Sequence, residues 1–190
     1  MAQEGLPDVA QGPDLRQADL TDHGDPVFLE SFETTNLRVL DAAGVQLPLV
    51  QLLAATGAPA DLVAAGDPRT FADLSTAAGL AWVAGYADGV GPDKSQVIPV
   101  APDGTLGQPT SFVADAHAVG LLVHPYTFRN ENTFLPPALQ KGDDPADYGD
   151  AIEEQLRFWE AGVDGLFTDN PDTGVLTRDL FLAEDADVAA

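Results

Sequence analysis

Short apolar runs alternate with helix-patterned segments along this chain. The runs are rich in Val, Leu and Phe and are bounded by Gly, Pro or Asp, which is typical of buried strands. They predict strands over residues 27–32, 48–53, 86–92, 121–127 and 165–168. Polar and aromatic residues follow the last two runs. In parallel α/β folds, the loops after the carboxyl ends of strands build the functional site, so these residues are functional candidates.

Helical spacing of apolar residues predicts a helix between each pair of strands. The first begins after Thr34 or Thr35 and ends at Gly44, and the second starts after Thr70 and runs to Trp82. A third covers residues 111–119. In the fourth, Ile152, Leu156 and Trp159 form the predicted core face. Residues 54–69 are predicted to pass over the surface, and the long loop 129–148 is either a functional lid or a disordered excursion.

Regular alternation of strand and helix favours a parallel sheet with right-handed crossovers. The predicted fold is an α/β, partial TIM (β/α)8 barrel of about five βα units. A chain of 190 residues is short for a complete barrel, which typically needs about 250 residues. An open doubly wound sheet is the alternative, although the lone Gly89-Val-Gly91 is no phosphate-binding loop. Residues 1–26 are predicted to be an irregular lead-in, 27–178 the barrel part and 179–190 a frayed acidic tail.

Charge and composition narrow the possible partners. The 31 acidic and 8 basic residues leave a net charge of -23, which repels nucleic acid and anionic membranes. The acidic residues form either a solvated surface or, in part, a site for a divalent cation. Without cysteine, disulfides and thiolate metal sites are excluded. No signal peptide is recognisable, and no run approaches the roughly 20 apolar residues of a membrane span, so we expect no membrane insertion.

Five sequence blocks occur in an order that resembles the glycerophosphodiester phosphodiesterase family, particularly its exported bacterial type. The blocks are Val27-Phe-Leu-Glu-Ser-Phe-Glu33, Pro48-Leu-Val-Gln-Leu-Leu53, Tyr86-Ala-Asp-Gly-Val-Gly-Pro-Asp-Lys94, Val123-His-Pro-Tyr-Thr-Phe-Arg129 and Asp164-Gly-Leu-Phe-Thr-Asp-Asn-Pro171. The resemblance covers most of the chain and corresponds to about the fourth to eighth strands of the family's barrel. It therefore implies that the first three strands are missing.

The resemblance also implies a chemistry. Family members hydrolyse small-molecule glycerophosphodiesters to glycerol 3-phosphate and an alcohol. They use a His pair, one member of which lies in a His-Arg-Gly motif, and a divalent metal, calcium or magnesium, held by Glu-x-Asp and Glu-x-Lys motifs. A metal offsets the phosphate charge while an acid and a base serve the leaving group and the nucleophile. For the intact parent, the resemblance implies a periplasmic or secreted location.

None of these motifs occurs in the 190 residues. The histidines are His23, His117 and His124, and none is followed by Arg. We therefore expect no catalytic residue in this chain, which we interpret as the carboxyl-terminal part of such an enzyme, truncated and inactive alone. The alternative is a non-catalytic fragment or a pseudoenzyme subunit that needs a partner for the missing strands.

A half barrel leaves sheet edges and an apolar face uncovered, and both promote association. We therefore expect the chain to self-associate through its exposed barrel edges, which light scattering can measure. A monodisperse monomer that melts cooperatively in calorimetry would contradict this expectation.

The candidate substrate-binding residues follow the strand 121–127. His124, Tyr126 and Phe128 share one strand parity, so they either line the glycerol and phosphate pocket or pack in the barrel interior, with His124 bonded to a backbone carbonyl. Arg129 either grips a phosphate or pairs with a neighbouring acid such as Glu131. Glu30, at the end of the first strand, is a weak candidate for a metal ligand.

Overall fold

The computed structural model describes the backbone of residues 27–188 and the side chains up to residue 184. The predicted lead-in 1–26 lies outside the described residues. Within them, four strands form one parallel sheet in the order β1-β2-β3-β4. The strands are β1 Leu29–Ser31, β2 Leu49–Leu53, β3 Gly89–Pro92 and β4 Leu122–Val123. The predicted α/β class with a parallel sheet is confirmed.

The predicted fifth strand, 165–168, adjoins β4 without forming a regular strand. Phe128 and Thr168 make a single parallel bridge, and the Phe128 N–H donates to the Phe167 carbonyl at 2.8 Å. The Asp164 and Phe167 N–H groups donate to the Val123 and Pro125 carbonyls at 2.9 and 3.0 Å. The segment thus continues the sheet beyond β4, although the chain is too irregular there for a continuous ladder.

Eight helices accompany the sheet in the described part of the chain. They are α1 Thr34–Ala42, α2 Ala60–Ala64, α3 Phe71–Leu74, α4 Ala77–Val83, α5 Lys94–Val97, α6 Phe112–His117, α7 Ala151–Glu160 and α8 Pro171–Val188. One apolar core joins them to the sheet and contains Leu37, Leu53, Leu74, Val90, Val123 and Phe158. Gly44 adopts the left-handed conformation at φ 73° just after α1, as expected for the predicted end of that helix.

The single helix predicted after Thr70 is wrong, because two short helices occupy this region. Thr70 caps α3 by exchanging hydrogen bonds with Asp73, and the Thr76 hydroxyl then accepts from the Gly79 N–H at the start of α4. Thr76 therefore satisfies a backbone donor that a continuous helix would have used. The predicted surface passage 54–69 likewise contains the short helix α2.

Gly79 allows α3 and α4 to approach closely. A Cβ at this position would lie 2.1 Å from the Asp73 carbonyl oxygen and 2.5 Å from the Leu74 Cα. We expect Gly79→Ala to lower the free energy of unfolding by about 1–3 kcal/mol through overpacking, despite the better helix propensity of Ala. Urea denaturation measures this loss. The neighbouring exposed Ala78→Gly is the control, with an expected loss of about 1 kcal/mol or less from propensity alone. If Gly79→Ala stabilises the protein, the close contact does not exist.

The core face predicted for α7 is partly wrong. Ile152 is 41% exposed, whereas Glu154 and Gln155 are buried together with Phe158 and Trp159. Two polar contacts explain this rotation of the helix. Glu154 pairs with Lys94, and the Thr177 hydroxyl of α8 donates to Gln155 Oε1 at 2.8 Å. Buried polar groups are tolerated where they find such partners.

The prediction of a frayed tail beyond Asp179 also differs from the structure, since α8 continues to Val188. Contacts near its start and middle hold this helix on α7. The Trp159 indole N–H donates to the Thr177 hydroxyl at 3.2 Å, and the Phe181 ring stacks on Trp159 at a centroid distance of 6.3 Å. Packing against α7 therefore orders a segment whose composition alone suggested a loose end.

Solvent reaches two aromatic residues that flank β1. Phe28 and Phe32 are 39% and 38% exposed, and the Phe28 ring contacts His124 at a centroid distance of 4.9 Å. Self-association through exposed barrel edges stays a prediction. In the described part of the chain, no helix combines the length and the apolar character needed to cross a membrane.

Candidate functional site

A cavity of about 490 Å³ opens at the carboxyl edge of the sheet. Asp93 and Lys94 reach it from the end of β3, Tyr126 and Arg129 from the segment after β4, and Asp169 from the end of the last bridging segment. Side chains from separate parallel strands meet here because their carboxyl ends lie at one edge. The cavity is therefore in the position where α/β folds bind ligands.

A buried ion pair forms one side of the cavity. Lys94 Nζ lies 2.7 Å from Glu154 Oε1, and the side chain of Glu154 is only 1% exposed. Lys94 also donates to the Phe134 carbonyl at 2.9 Å, which ties the loop 129–148 to the site. Glu154 Oε2 is enclosed and has no hydrogen-bond partner. Burial raises the pKa of Glu154, while the Lys94 charge and hydrogen bond lower it.

Arg129 also lines the cavity, and part of its guanidinium is already hydrogen-bonded. Its Nη2 donates to Glu131 Oε1 at 3.1 Å, and its Nε lies 3.2 Å from Asp169 Oδ2 without hydrogen-bond alignment. The guanidinium stacks over the Phe134 ring, 4.1 Å from its centroid. Pairing with Glu131, one of the two expected roles, is thus present. A guanidinium has five donors, so N–H groups remain for a ligand.

Tyr126 lines the cavity, and its backbone bridges to Asp93 beside β3. Its hydroxyl donates to the Leu53 carbonyl at 3.2 Å. Burial, with a smaller effect of Asp93, raises the pKa of Tyr126 to about 12. The phenol is therefore neutral at physiological pH and offers an apolar ring edge and a polar tip to the site.

Phe128 and His124 lie behind the cavity wall. The Phe128 ring is fully buried against Phe158 at a centroid distance of 4.9 Å, and Lys94 Nζ lies 5.5 Å from its centroid. Neither Phe128 nor His124 lines the cavity, so these two side chains pack in the interior, whereas Tyr126 lines the pocket. His124 packs between Phe28 and Phe167, and burial lowers its pKa. Its ring makes no hydrogen bond to a backbone carbonyl within the described residues.

The loop 129–148, expected to be a lid or a disordered excursion, is folded against the site. It contains 3-10 turns at Asn132–Phe134 and Pro137–Leu139. The buried Asn132 amide donates to the Lys141 and Asp144 carbonyls at 2.7 and 2.9 Å, and its oxygen accepts from the Lys141 N–H. One side chain therefore replaces a regular ladder as the organising contact of the loop.

Glu30, the candidate metal ligand, is exposed on β1, and partial burial raises its pKa. Within residues 27–184, no group of three or more His, Asp or Glu side chains could hold a metal ion. A catalytic metal needs several ligands at once. The described side chains therefore do not fit the divalent metal that the resemblance implies.

Sequence reasoning missed Lys94 and Glu154. Lys94 directly follows Gly-Pro-Asp at a strand end and is one of two lysines in an acidic chain, which was a usable signal. Glu154 carried no such sequence signal, because an acidic residue on an amphipathic helix ordinarily faces solvent.

The sequence profile of the Glycerophosphoryl diester phosphodiesterase family matches residues 13–173. The chain belongs to this family. Its members are phosphodiester hydrolases and generally depend on a divalent metal. The resemblance stated from the five blocks is thereby confirmed.

Two relatives show the extent of the similarity. The Arabidopsis thaliana protein named Glycerophosphodiester phosphodiesterase GDPD6 is 35% identical over 144 residues, which are 76% of this chain and 35% of that protein. A crystal structure from Silicibacter pomeroyi DSS-3, assigned as a glycerophosphoryl diester phosphodiesterase, superposes with a TM-score of 0.53 at 20% identity. It covers 90% of this chain and 42% of its own, and it supports the fold alone. The chain spans well under half the length of both relatives.

Proposed function

We propose that this chain forms the substrate-binding wall of a glycerophosphodiester phosphodiesterase, an enzyme that hydrolyses its substrate to glycerol 3-phosphate and an alcohol. The observation that carries the proposal is the cavity at the carboxyl edge of the sheet, where Lys94, Tyr126 and Arg129 converge. These residues belong to the blocks that carry the family resemblance. In this proposal, the strands correspond to the later part of a family barrel whose first three strands are not among these residues.

Two of the candidate residues contact the substrate in this proposal. Arg129 offers its remaining N–H donors to the phosphodiester, and Tyr126 covers the adjoining carbon chain. Phe128 and His124 act from behind the wall. Phe128 packs on Phe158 and supports Lys94, and His124 fills the sheet face between Phe28 and Phe167.

The acid, base and metal ligands of the reaction come, in this proposal, from polypeptide outside these 190 residues. Two observations support this. His-Arg-Gly, Glu-x-Asp and Glu-x-Lys are absent from the sequence, and the described side chains do not form a metal-binding group. Glu30 on β1 would at most add one carboxylate to a site built elsewhere. When bound, the metal would offset the phosphate charge.

The purified 190-residue chain is therefore expected to bind a glycerophosphodiester without hydrolysing it. Glycerophosphocholine is incubated with the chain and calcium or magnesium, and released choline is measured. No release above the metal-only control is expected, because the motifs that carry the family's acid and base do not occur in the sequence. Release that exceeds that control and is abolished by Arg129→Ala would contradict the proposed division of labour.

A second candidate function is a non-catalytic subunit that completes its barrel with a partner chain. The absence of the catalytic motifs favours it as well. The nucleotide sequence immediately upstream separates the two. In-frame His-Arg-Gly and Glu-x-Asp codons support one enzyme on one polypeptide, whereas their absence supports a partner-dependent or inactive subunit.

A further inference from the structure

Lys94 and Arg129 are the two cationic side chains, counted over the described residues, that line the cavity at the carboxyl edge of the sheet. They follow different strands, yet both contact Phe134 in the loop 129–148. Lys94 Nζ donates to the Phe134 carbonyl at 2.9 Å, and the Arg129 guanidinium carbon lies 4.1 Å from the centroid of the Phe134 ring. Phe134 also lines the cavity, so one residue brings both cations to the same part of it.

The Lys94 ammonium is held by three neighbours. Nζ donates to Glu154 Oε1 at 2.7 Å and to the Phe134 carbonyl, and it lies 5.5 Å from the centroid of the Phe128 ring. Glu154 and Phe128 are buried, so these contacts restrict the ammonium to one position. An ammonium has three donors, and the third N–H has no acceptor in the described part of the chain. Because Lys94 lines the cavity and stays 22% exposed, a ligand can use this donor.

The carboxylates of the cavity lining are already engaged. Glu154 is paired with Lys94, Asp169 Oδ2 lies 3.2 Å from Arg129 Nε, and the Asp93 side chain caps α5. Three carboxylates against two cations leave one excess negative charge, so the field of the lining does not draw an anion in. An anionic ligand therefore depends on direct hydrogen bonds from the unused N–H groups.

The unused donors match a phosphodiester better than a hydroxyl group. A phosphodiester has two unesterified oxygens that share one negative charge, whereas a hydroxyl offers one neutral oxygen. Hydrogen bonds from a cation gain further Coulomb attraction when the acceptor is charged. Arg129 keeps N–H groups beyond its bond to Glu131, and Lys94 keeps one. Two cationic donors beside one residue thus fit an acceptor with two charged oxygens.

We propose that Lys94 is a second phosphate-binding residue of this site, whose third N–H donates to one unesterified oxygen of the phosphodiester while Arg129 donates to the other. The inference rests on the proposed function, in which Arg129 is the residue that contacts the phosphate. Glu154 holds the ammonium from its buried side and does not touch the substrate. Phe134 keeps the two donors close to each other.

The lysine content of the chain allows a test with an internal control. Lys94 and Lys141 are its two lysines, and Lys141 pairs with Asp150 on the surface outside the cavity lining. Lysine labelled with carbon-13 at Cε gives two side-chain NMR signals, which Lys141→Arg assigns. We expect glycerophosphocholine and dimethyl phosphate to move the Lys94 signal saturably, and glycerol to leave it in place. The Lys141 signal should stay unmoved with all three.

The outcomes separate this inference from the proposed function. A Lys94 signal that stays unmoved while calorimetry shows glycerophosphocholine binding would overturn the role of Lys94 and leave the proposed function standing. A signal that moves with glycerol but not with dimethyl phosphate would make Lys94 a hydroxyl donor and would also overturn the inference. Failure of glycerophosphocholine to bind the wild-type chain would overturn both.

Matched double variants measure the contribution of Lys94 to binding. Lys94→Met combined with Glu154→Gln removes both buried charges, so the net charge is unchanged and no buried carboxylate is left unpaired. We expect glycerophosphocholine to bind this variant about tenfold more weakly in calorimetry, as the loss of one hydrogen bond between charged groups predicts. Lys141→Met with Asp150→Asn makes the same change at the exposed pair and should keep the wild-type affinity. Wild-type affinity in the Lys94 variant would overturn the inference, and the NMR measurement on the wild-type chain decides the question if that variant does not fold.

Discussion

Replacing Lys94 by Met is expected to lower the free energy of unfolding by about 3–5 kcal/mol at pH 7, because it leaves the Glu154 carboxylate buried without a counter-charge. Urea denaturation measures the loss. Lys141→Met is the matched control, since Lys141 pairs with Asp150 at an exposed position. Exposed pairs contribute about 0–1 kcal/mol. Equal losses in the two variants would show that the buried Lys94–Glu154 pair contributes no more to stability than an exposed pair.

The loss should depend on pH in a defined direction. Burial raises the folded-state pKa of Glu154 above its ordinary value of 4.5, and Lys94 opposes that rise. With a raised pKa, the folded state binds more protons than the unfolded state, so stability from this group falls as pH increases through the raised value. Lys94→Met removes the Lys94 charge that lowers the pKa of Glu154. The folded-state pKa then rises further, and the pH range over which stability falls becomes wider. We therefore expect the loss in free energy of unfolding caused by Lys94→Met to become smaller as pH approaches 4.5. At pH 7, adding Glu154→Gln should largely restore the lost stability. A deficit that is independent of pH would contradict this account.

Phe128→Ala is expected to lower the free energy of unfolding by about 3–5 kcal/mol, because the ring is fully buried against Phe158 and its removal leaves a cavity. Phe134→Ala, in the same region but 42% exposed, should cost about 1 kcal/mol or less. Chemical denaturation compares the two, and the milder Phe128→Leu serves if the alanine variant does not fold. Similar losses at both positions would place Phe128 outside the core.

The residues around the cavity divide into those that face a ligand and those that hold the fold. Lys94 and Phe128 both follow strand ends, yet one presents an ammonium to the cavity and the other fills the core behind it. Arg129 and Tyr126 line the cavity, as residues after a parallel strand often do. Substitutions at Arg129 should therefore affect binding more than stability, and substitutions at Phe128 the reverse.

Local patterns predicted the regular strands well. Apolar runs with Gly, Pro or Asp at their ends identified all four regular strands, and Gly44 marked the end of α1. These features depend on nearby residues alone, because burial of a strand and a left-handed helix end each have a short-range signature. The division of the region after Thr70 into α3 and α4 escaped this reasoning, since apolar spacing continued across the cap at Thr76.

Local sequence patterns also failed to predict contacts between residues that are far apart in the chain. Lys94 and Glu154 are 60 positions apart, and Thr177 joins α8 to α7 through Gln155. Both contacts bury polar side chains that helical periodicity assigns to solvent. Phe128 lies in the core and not in the cavity wall, and the sequence had left both placements open.

The sequence by itself determined the four regular strands, the parallel sheet and, through five blocks and the profile match over residues 13–173, the family. Only the tertiary structure decided which side chains share the cavity, how α7 is rotated and that α8 extends to Val188. The reason is physical. Strands and helix ends have a signature in neighbouring residues, whereas a buried charge or amide becomes acceptable only once packing brings its partner to it.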